Sequence, residues 1–154
     1  MYLIDTNVVS ALGPARSATT DPLAEWLRKN TGDLYLSVVT ISELDAGVAK
    51  LRRERAVRKA GLIASWIDAT LALFADRVLP FGIDEARAAG DLHDQARAAE
   101  TDPGFADVAI AATARVRNLT ILTRNLRHFS AFGVPVLDPF AMLPPERPSG
   151  GRHR

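Results

Sequence analysis

The chain has 154 residues, 47% of them apolar and 24% charged, with a formal net charge of +1 and no cysteine. That composition describes one ordinary globular domain, able to bury about two thirds of its extended-chain surface, and the missing cysteines exclude disulfides, thiol nucleophiles and thiolate zinc sites. A charge so close to zero argues against a generic nucleic-acid coat, which must neutralise many phosphates, so any contact with RNA has to be local.

Met1 to Asp5 reads as a short apolar strand, followed by one or two helical turns over Thr6 to Leu12. No basic region followed by an apolar stretch stands at the amino terminus, and no apolar run reaches the length of a membrane span. A cytosolic protein is expected. Gly13, Pro14 and the stretch Ser17 to Thr20 form a loop, and Asp21 before Pro22 gives an N-cap with proline at the first helical position, starting a helix through about Asn30. Leu34 to Val39 is the second strand. Thr40 to about Arg53 and Arg55 to about Arg77 read as helices, the second presenting Leu62, Ile63, Trp66, Ile67, Leu71 and Phe74 as a broad apolar core face. Around their junction, Lys50, Arg52, Arg53, Arg55, Arg58 and Lys59 face one acid, Glu54. This patch reads as a solvated junction, with RNA or an acidic partner segment as the other reading.

Val78 to Phe81 forms the third strand, Asp84 to Glu100 an Ala-rich helix, and Asp102-Pro103-Gly104 a break before a helix that runs to about Arg117. Leu119 to Thr123 is the fourth strand, Asn125 caps a short helix ended by Gly133, and Val134 to Leu137 is the fifth strand. Strands separated by helices imply a mostly parallel sheet covered on both faces, an α/β/α three-layer architecture. The expected domain is residues 1–143; residues 144–154 lack apolar periodicity and read as a disordered tail.

Asp5, Glu43 and Asp107 each stand at an expected helix start. Each has a purely structural explanation. Asp5 can cap the helix after it, Asp107 suits the helix dipole, and Thr40-Ile41-Ser42-Glu43 has the spacing of a capping box. Four strings, Leu3 to Asn7 (LIDTN), Thr40 to Leu44 (TISEL), Ala106 to Ala114 (ADVAIAATA) and Ile121 to Asn125 (ILTRN), carry more together. In this order and at these separations, from Met1 to about Pro139, the chain resembles the PIN-domain ribonucleases, and within them the VapC and FitB type toxins of toxin–antitoxin pairs.

The resemblance implies the strand order 3-2-1-4-5, which sets strands 1 and 4 side by side. Ligands bind outside the carboxyl ends of strands at such a switch point, where Asp5 and Thr123 would sit. It also implies an endoribonuclease dependent on Mg²⁺, with Mn²⁺ as a substitute. Its products would carry a 5′-phosphate and a 3′-hydroxyl. The implied partners are the RNA substrate, a second copy in a homodimer, and a cognate antitoxin whose carboxy-terminal segment occupies the groove.

The chemistry fits the residue types. Like charges about 4 Å apart repel by roughly 4 kcal/mol at an effective dielectric of 20, a cost that a bound cation removes. Mg²⁺ takes oxygen ligands, usually one or two carboxylates with water and phosphate. Asp5 and Asp107 are the expected metal ligands, and Glu43 holds or deprotonates a water; the three form the expected catalytic set. Thr6 and Asn7 orient Asp5 or simply bond the helix start, while Thr123 and Arg124 lie at the crevice, Arg124 within reach of a phosphate or solvated. Ala106, Ala109, Ala111, Ala112 and Ala114 are packing residues that let their helix approach the sheet.

Asn125 departs from the pattern, since many PIN relatives carry a fourth aspartate there. It serves as a helix cap or as a neutral ligand, and whether the site takes one metal or two stays open. His93, His128 and His153 show no ligand spacing. The alternative function is a non-catalytic PIN module that binds nucleic acid or a regulatory partner. A phosphohydrolase is disfavoured because Asp5-Thr6-Asn7 lacks a second aspartate two residues on.

Overall fold

In the computed structural model, which describes residues 1–14 and 21–145, neighbouring side chains on the central strands go to opposite faces of one sheet. Leu3 and Ile121 enter one apolar cluster, Ile4 and Leu122 the other. The strands are β1 (Tyr2–Ile4), β2 (Leu34–Ser37), β3 (Val78–Leu79), β4 (Thr120–Leu122) and β5 (Val136–Leu137), in the order β3-β2-β1-β4-β5. Every pairing is parallel. Helices α1 (Thr6–Ala11), α2 (Pro22–Lys29), α3 (Val38–Arg53) and α4 (Val57–Phe74) close one face through Val8, Trp26, Val48 and Ile67. On the other face lie α5 (Ile83–Ala98), α6 (Phe105–Arg117) and α7 (Leu126–Phe129), with Leu92, Ile110 and Phe129 in the core. This is the three-layer arrangement expected from the alternation of strands and helices.

Local chemistry sets the element ends that matter. Asp21 Oδ1 accepts the Leu23 N–H at 3.0 Å, so the cap expected ahead of Pro22 forms. Every residue of α6 from Val108 to Ala114 is buried. Four of these are alanines, whose small side chains let the helix lie close to its neighbours, whereas Ala106 is only half-buried. Asn118 then ends α6 in the left-handed conformation, φ 52°, which asparagine tolerates, and β4 begins two residues later.

One boundary differs in a way that bears on the site. The second strand ends at Ser37, not Val39, and α3 starts at Val38 without a connecting loop. Val38 and Val39 are β-branched and read as strand, yet the Ser37 hydroxyl accepts the Val39 N–H at 3.1 Å and turns the chain into a helix. Thr40 is therefore a buried residue inside α3, and the expected capping box does not form.

Elsewhere the differences are smaller. The helix expected from Arg55 begins at Val57, after Arg55 takes a positive φ of 62°, and its last turn, Ala75–Arg77, is a 3-10 helix. On α4, Ile67 and Phe74 are core but Leu62 is 60% exposed. The basic run is solvated at the α3–α4 junction, with Lys50 near Glu54 at 3.9 Å. Pro144 is buried, so packing continues past residue 143; residues 146–154 of the expected tail lie outside the described residues. Among the described residues, no helix is long and apolar enough to cross a membrane.

Candidate active site

The register pairs Ile4 with Leu122, so the next residues, Asp5 and Thr123, leave their strands side by side. The Asp5 N–H continues the ladder to the Leu122 carbonyl at 3.0 Å. Both side chains are buried, Asp5 to 4% exposure. Thr123 donates its hydroxyl to Asp5 Oδ2 at 2.7 Å and accepts from Asn7 Nδ2 at 3.1 Å and from the Asn125 N–H at 2.9 Å. One donor and two lone pairs are thus all used, and the hydroxyl has no freedom to rotate.

Asn7 completes the clasp. Its amide nitrogen donates to Asp5 Oδ2 at 2.5 Å, and its Oδ1 accepts the Arg124 N–H at 3.0 Å. Thr6 joins two of the acids: its N–H donates to Asp5 Oδ1 at 2.7 Å and its hydroxyl donates to Glu43 Oε2. Asp5 is consequently a cap of α1 and more than a cap. Glu43, exposed, is the sixth residue of α3 instead of a box partner near its start. Asp107, the third residue of α6, supplies the remaining carboxylate from the opposite layer.

Burial raises the Asp5 carboxyl above its ordinary value. Hydrogen bonds from Thr123 and Thr6 work against that, while the charges of Asp107 and Glu43 push it further up. Asp5, Glu43 and Asp107 therefore share one electrostatic environment. Asp5 accepts three hydrogen bonds, leaving about one of its four lone-pair sites for a further partner. The carboxylate oxygens of Asp5, Glu43 and Asp107 are of the type a hard divalent ion takes. Among the described residues, no three His, Cys, Asp or Glu side chains are grouped so that they could hold a metal ion by themselves.

Two neighbours were not legible in advance. His128 Nδ1 lies 3.0 Å from Asp107 Oδ2, with the histidine 56% exposed. These residues are 21 apart in the chain, and only the placement of α7 beside the start of α6 brings them together. Arg124 stacks its guanidinium 3.8 Å from the centre of the Phe140 ring. Asn125 occupies the N-cap position of α7 but its side chain makes no capping bond, because φ −91° and ψ 54° lie outside the extended geometry a cap uses.

Residues 2–134 match the family model described as PIN domain. The chain belongs to the PIN domain family. This PIN domain is 36% identical to Toxin FitB of Neisseria gonorrhoeae over 141 residues, 91% of this chain and 99% of that protein. It is 32% identical to VapC ribonuclease Y4jK of Sinorhizobium fredii over 142 residues, 91% of this chain and 98% of that protein. The crystal structure of FitAcB from Neisseria gonorrhoeae superposes with a TM-score of 0.76 at 34% identity, covering 91% of this chain and 99% of its own.

Two clefts flank the acids of the PIN domain. Thr6 and Glu43 border an apolar groove of about 220 Å³ whose walls include Ser10, Leu44, Leu51, Ile63 and Trp66. On the other side, Asp107 and His128 line a smaller cleft of about 170 Å³ with Gly104 and Arg127.

Proposed function

We propose that this PIN domain is an endoribonuclease that acts as the toxin of a toxin–antitoxin pair. The observation that carries the proposal is the buried Asp5 carboxylate, raised by burial and by the charges of Asp107 and Glu43, at the carboxyl ends of β1 and β4. The relatives named as toxin and as ribonuclease support the same reading. Asp5 and Asp107 would hold Mg²⁺, or Mn²⁺ in its place, with Glu43 facing the water next to it. When bound, such an ion would lower the pKa of water and stabilise the charge that develops on phosphate.

The protein's own side chains then have separate tasks. Thr6, Asn7 and Thr123 fix the Asp5 carboxylate and exclude solvent from its inner side. Glu43, held by the Thr6 hydroxyl, is exposed and free to take the proton of the attacking water. Water oxygen bonds to phosphorus and the bond to the 3′-oxygen breaks, leaving a 5′-phosphate and a 3′-hydroxyl that recovers a proton. Arg124, at the end of β4, would meet the RNA backbone. The groove beside Thr6 and Glu43 would seat a segment of the cognate antitoxin, and the active form would be a homodimer.

Incubating the protein with single-stranded RNA, with and without Mg²⁺, tests the proposal. Metal-dependent cleavage to 5′-phosphate ends is the expected result. RNA that is bound but left intact would favour the non-catalytic module instead.

A further inference from the structure

Arg124 is the cation nearest in sequence to the centre of the acidic network, and its placement is peculiar. It follows Thr123, the residue bonded to Asp5, and its own N–H is tied to Asn7. A flexible arginine that follows a residue bonded to a buried carboxylate can gain by pairing with an acid. None of the ion pairs among the described residues involves Arg124. Its guanidinium instead lies over the Phe140 ring, 3.8 Å from the ring centre, an arrangement in which the aromatic face attracts the cation without consuming its N–H donors.

Phe140 is itself anchored. It sits in the turn after β5, where its N–H donates to Asp138 Oδ1 at 2.9 Å and the preceding Pro139 is buried. We infer that Phe140 is a positioning residue that holds Arg124 off the catalytic acids, so that the guanidinium stays available to clamp a phosphate of single-stranded RNA next to the scissile one. This inference rests on the endoribonuclease reading for its substrate. It addresses a problem the acids create: Asp5, Glu43 and Asp107 repel a polyanion, and with a net charge of +1 the chain offers little general attraction to offset that. One cation, aimed outward and kept from neutralising the acids, supplies the local attraction.

Two readouts on the full chain test the clamp: RNA affinity by fluorescence anisotropy across a salt series, and KM against kcat for a cleavable single-stranded oligonucleotide. Arg124→Gln should weaken binding roughly tenfold, the scale of one lost charge-assisted contact, and lower the slope of log affinity against log salt by about 0.7. Phe140→Leu should reproduce most of both changes while keeping Arg124, and Phe140→Tyr, which retains the ring, should restore wild-type values. A merely structural Phe140 would not alter the salt slope. Unchanged affinity and slope in Arg124→Gln, or wild-type behaviour of Phe140→Leu, would overturn the clamp. Because the anisotropy needs no turnover, a wild-type protein that binds RNA and fails to cut it would defeat the nuclease reading alone, leaving the binding series to decide the clamp.

Discussion

Asp5 and Glu85 are the two buried carboxylates among the described residues, 4% and 3% exposed, and their surroundings could hardly differ more. Glu85 accepts the Gly82 N–H at 3.0 Å, and Arg117 bonds its other oxygen through Nη2 at 3.0 Å and Nε at 3.1 Å. Burial alone would raise its carboxyl, but backbone N–H donors and Arg117 more than offset that and hold it below its ordinary value. Asp5 also receives hydrogen bonds, yet burial and its acidic neighbours prevail and its carboxyl is raised. Burial separates the two sites first and charge second: desolvation prevails over the hydrogen bonds at Asp5, with Asp107 and Glu43 adding to it, whereas backbone N–H donors, joined by the Arg117 cation, outweigh it at Glu85. Glu85 with its Arg117 partner ties α5 to α6, whereas Asp5, in the field of two further acids, is where the proposed ion would bind.

The comparison breaks most visibly in activity. Asp5→Asn and Asp107→Asn should each lower RNA cleavage by at least about a hundredfold, and Glu43→Gln similarly, the scale expected for loss of a positioned catalytic group. Glu85→Gln should leave cleavage per folded molecule close to wild type. Cleavage assays normalised to folded protein by circular dichroism would expose an error if Glu43→Gln retained full turnover.

Metal separates the two acids next. An ion that binds only the native state adds about 2.7 kcal/mol at a hundred times its dissociation constant, so Mn²⁺ should raise the melting temperature of the wild type and have little effect on the Asp5→Asn/Asp107→Asn double variant. Metal-free Asp107→Asn should melt no lower than wild type, since it removes a like charge from Asp5. Arg117→Ala, by contrast, should cost about 2 kcal/mol in urea unfolding, discounted for the half-exposed guanidinium, because it strips Glu85 of its counter-charge.

Opposite shifts also mean opposite pH dependence. Glu85, lowered from 4.5, contributes stability that is present above that value and is lost as pH falls through its folded-state pKa. Asp5, raised from 3.8, contributes stability that is complete below that value and is lost as pH rises through its folded-state pKa. In metal-free buffer, the wild type should therefore lose stability relative to Asp5→Asn as pH climbs from about 4 towards neutrality. Parallel stability–pH curves for the two proteins would contradict the raised carboxyl.

The smallest expected effect sharpens the boundary of the acidic set. Since the Asn125 side chain forms no capping bond, Asn125→Ala should change stability by less than about 0.5 kcal/mol. If the position faces the ion, Asn125→Asp should tighten Mn²⁺ in a calorimetric titration; equal affinities for Asn, Ala and Asp would leave Asp5, Glu43 and Asp107 as the whole set.

Much of this was legible from residues in series. The alternation of strand and helix fixed the layers, the strings around Asp5 and Asp107 carried the family, and Asp21-Pro22 announced its helix. The start of α3 was hidden because β2 runs into it with no loop, and Val38 and Val39 suit either state until packing decides. His128 and Phe140 were invisible for a different reason: His128 meets Asp107 through the placement of α7 beside α6, and Phe140 meets Arg124 through the turn after β5, side-chain contacts that no local pattern encodes. Asn125 misled because a residue type favoured at caps says nothing of the ψ angle the turn imposes.

The clasp between Asp5 and Thr123 joins positions 118 residues apart. A ribosome extends a chain at about 5–20 residues per second, so roughly 6 to 24 s pass between the synthesis of one half of the clasp and the other. Throughout that interval β1 has no β4 to lie against, and Asp5 has neither its hydroxyl partner nor the acid from α6 for most of it. A protein proposed to cut RNA is thus assembled on an RNA machine in a form that lacks its site, which comes together only when the fourth strand reaches the first.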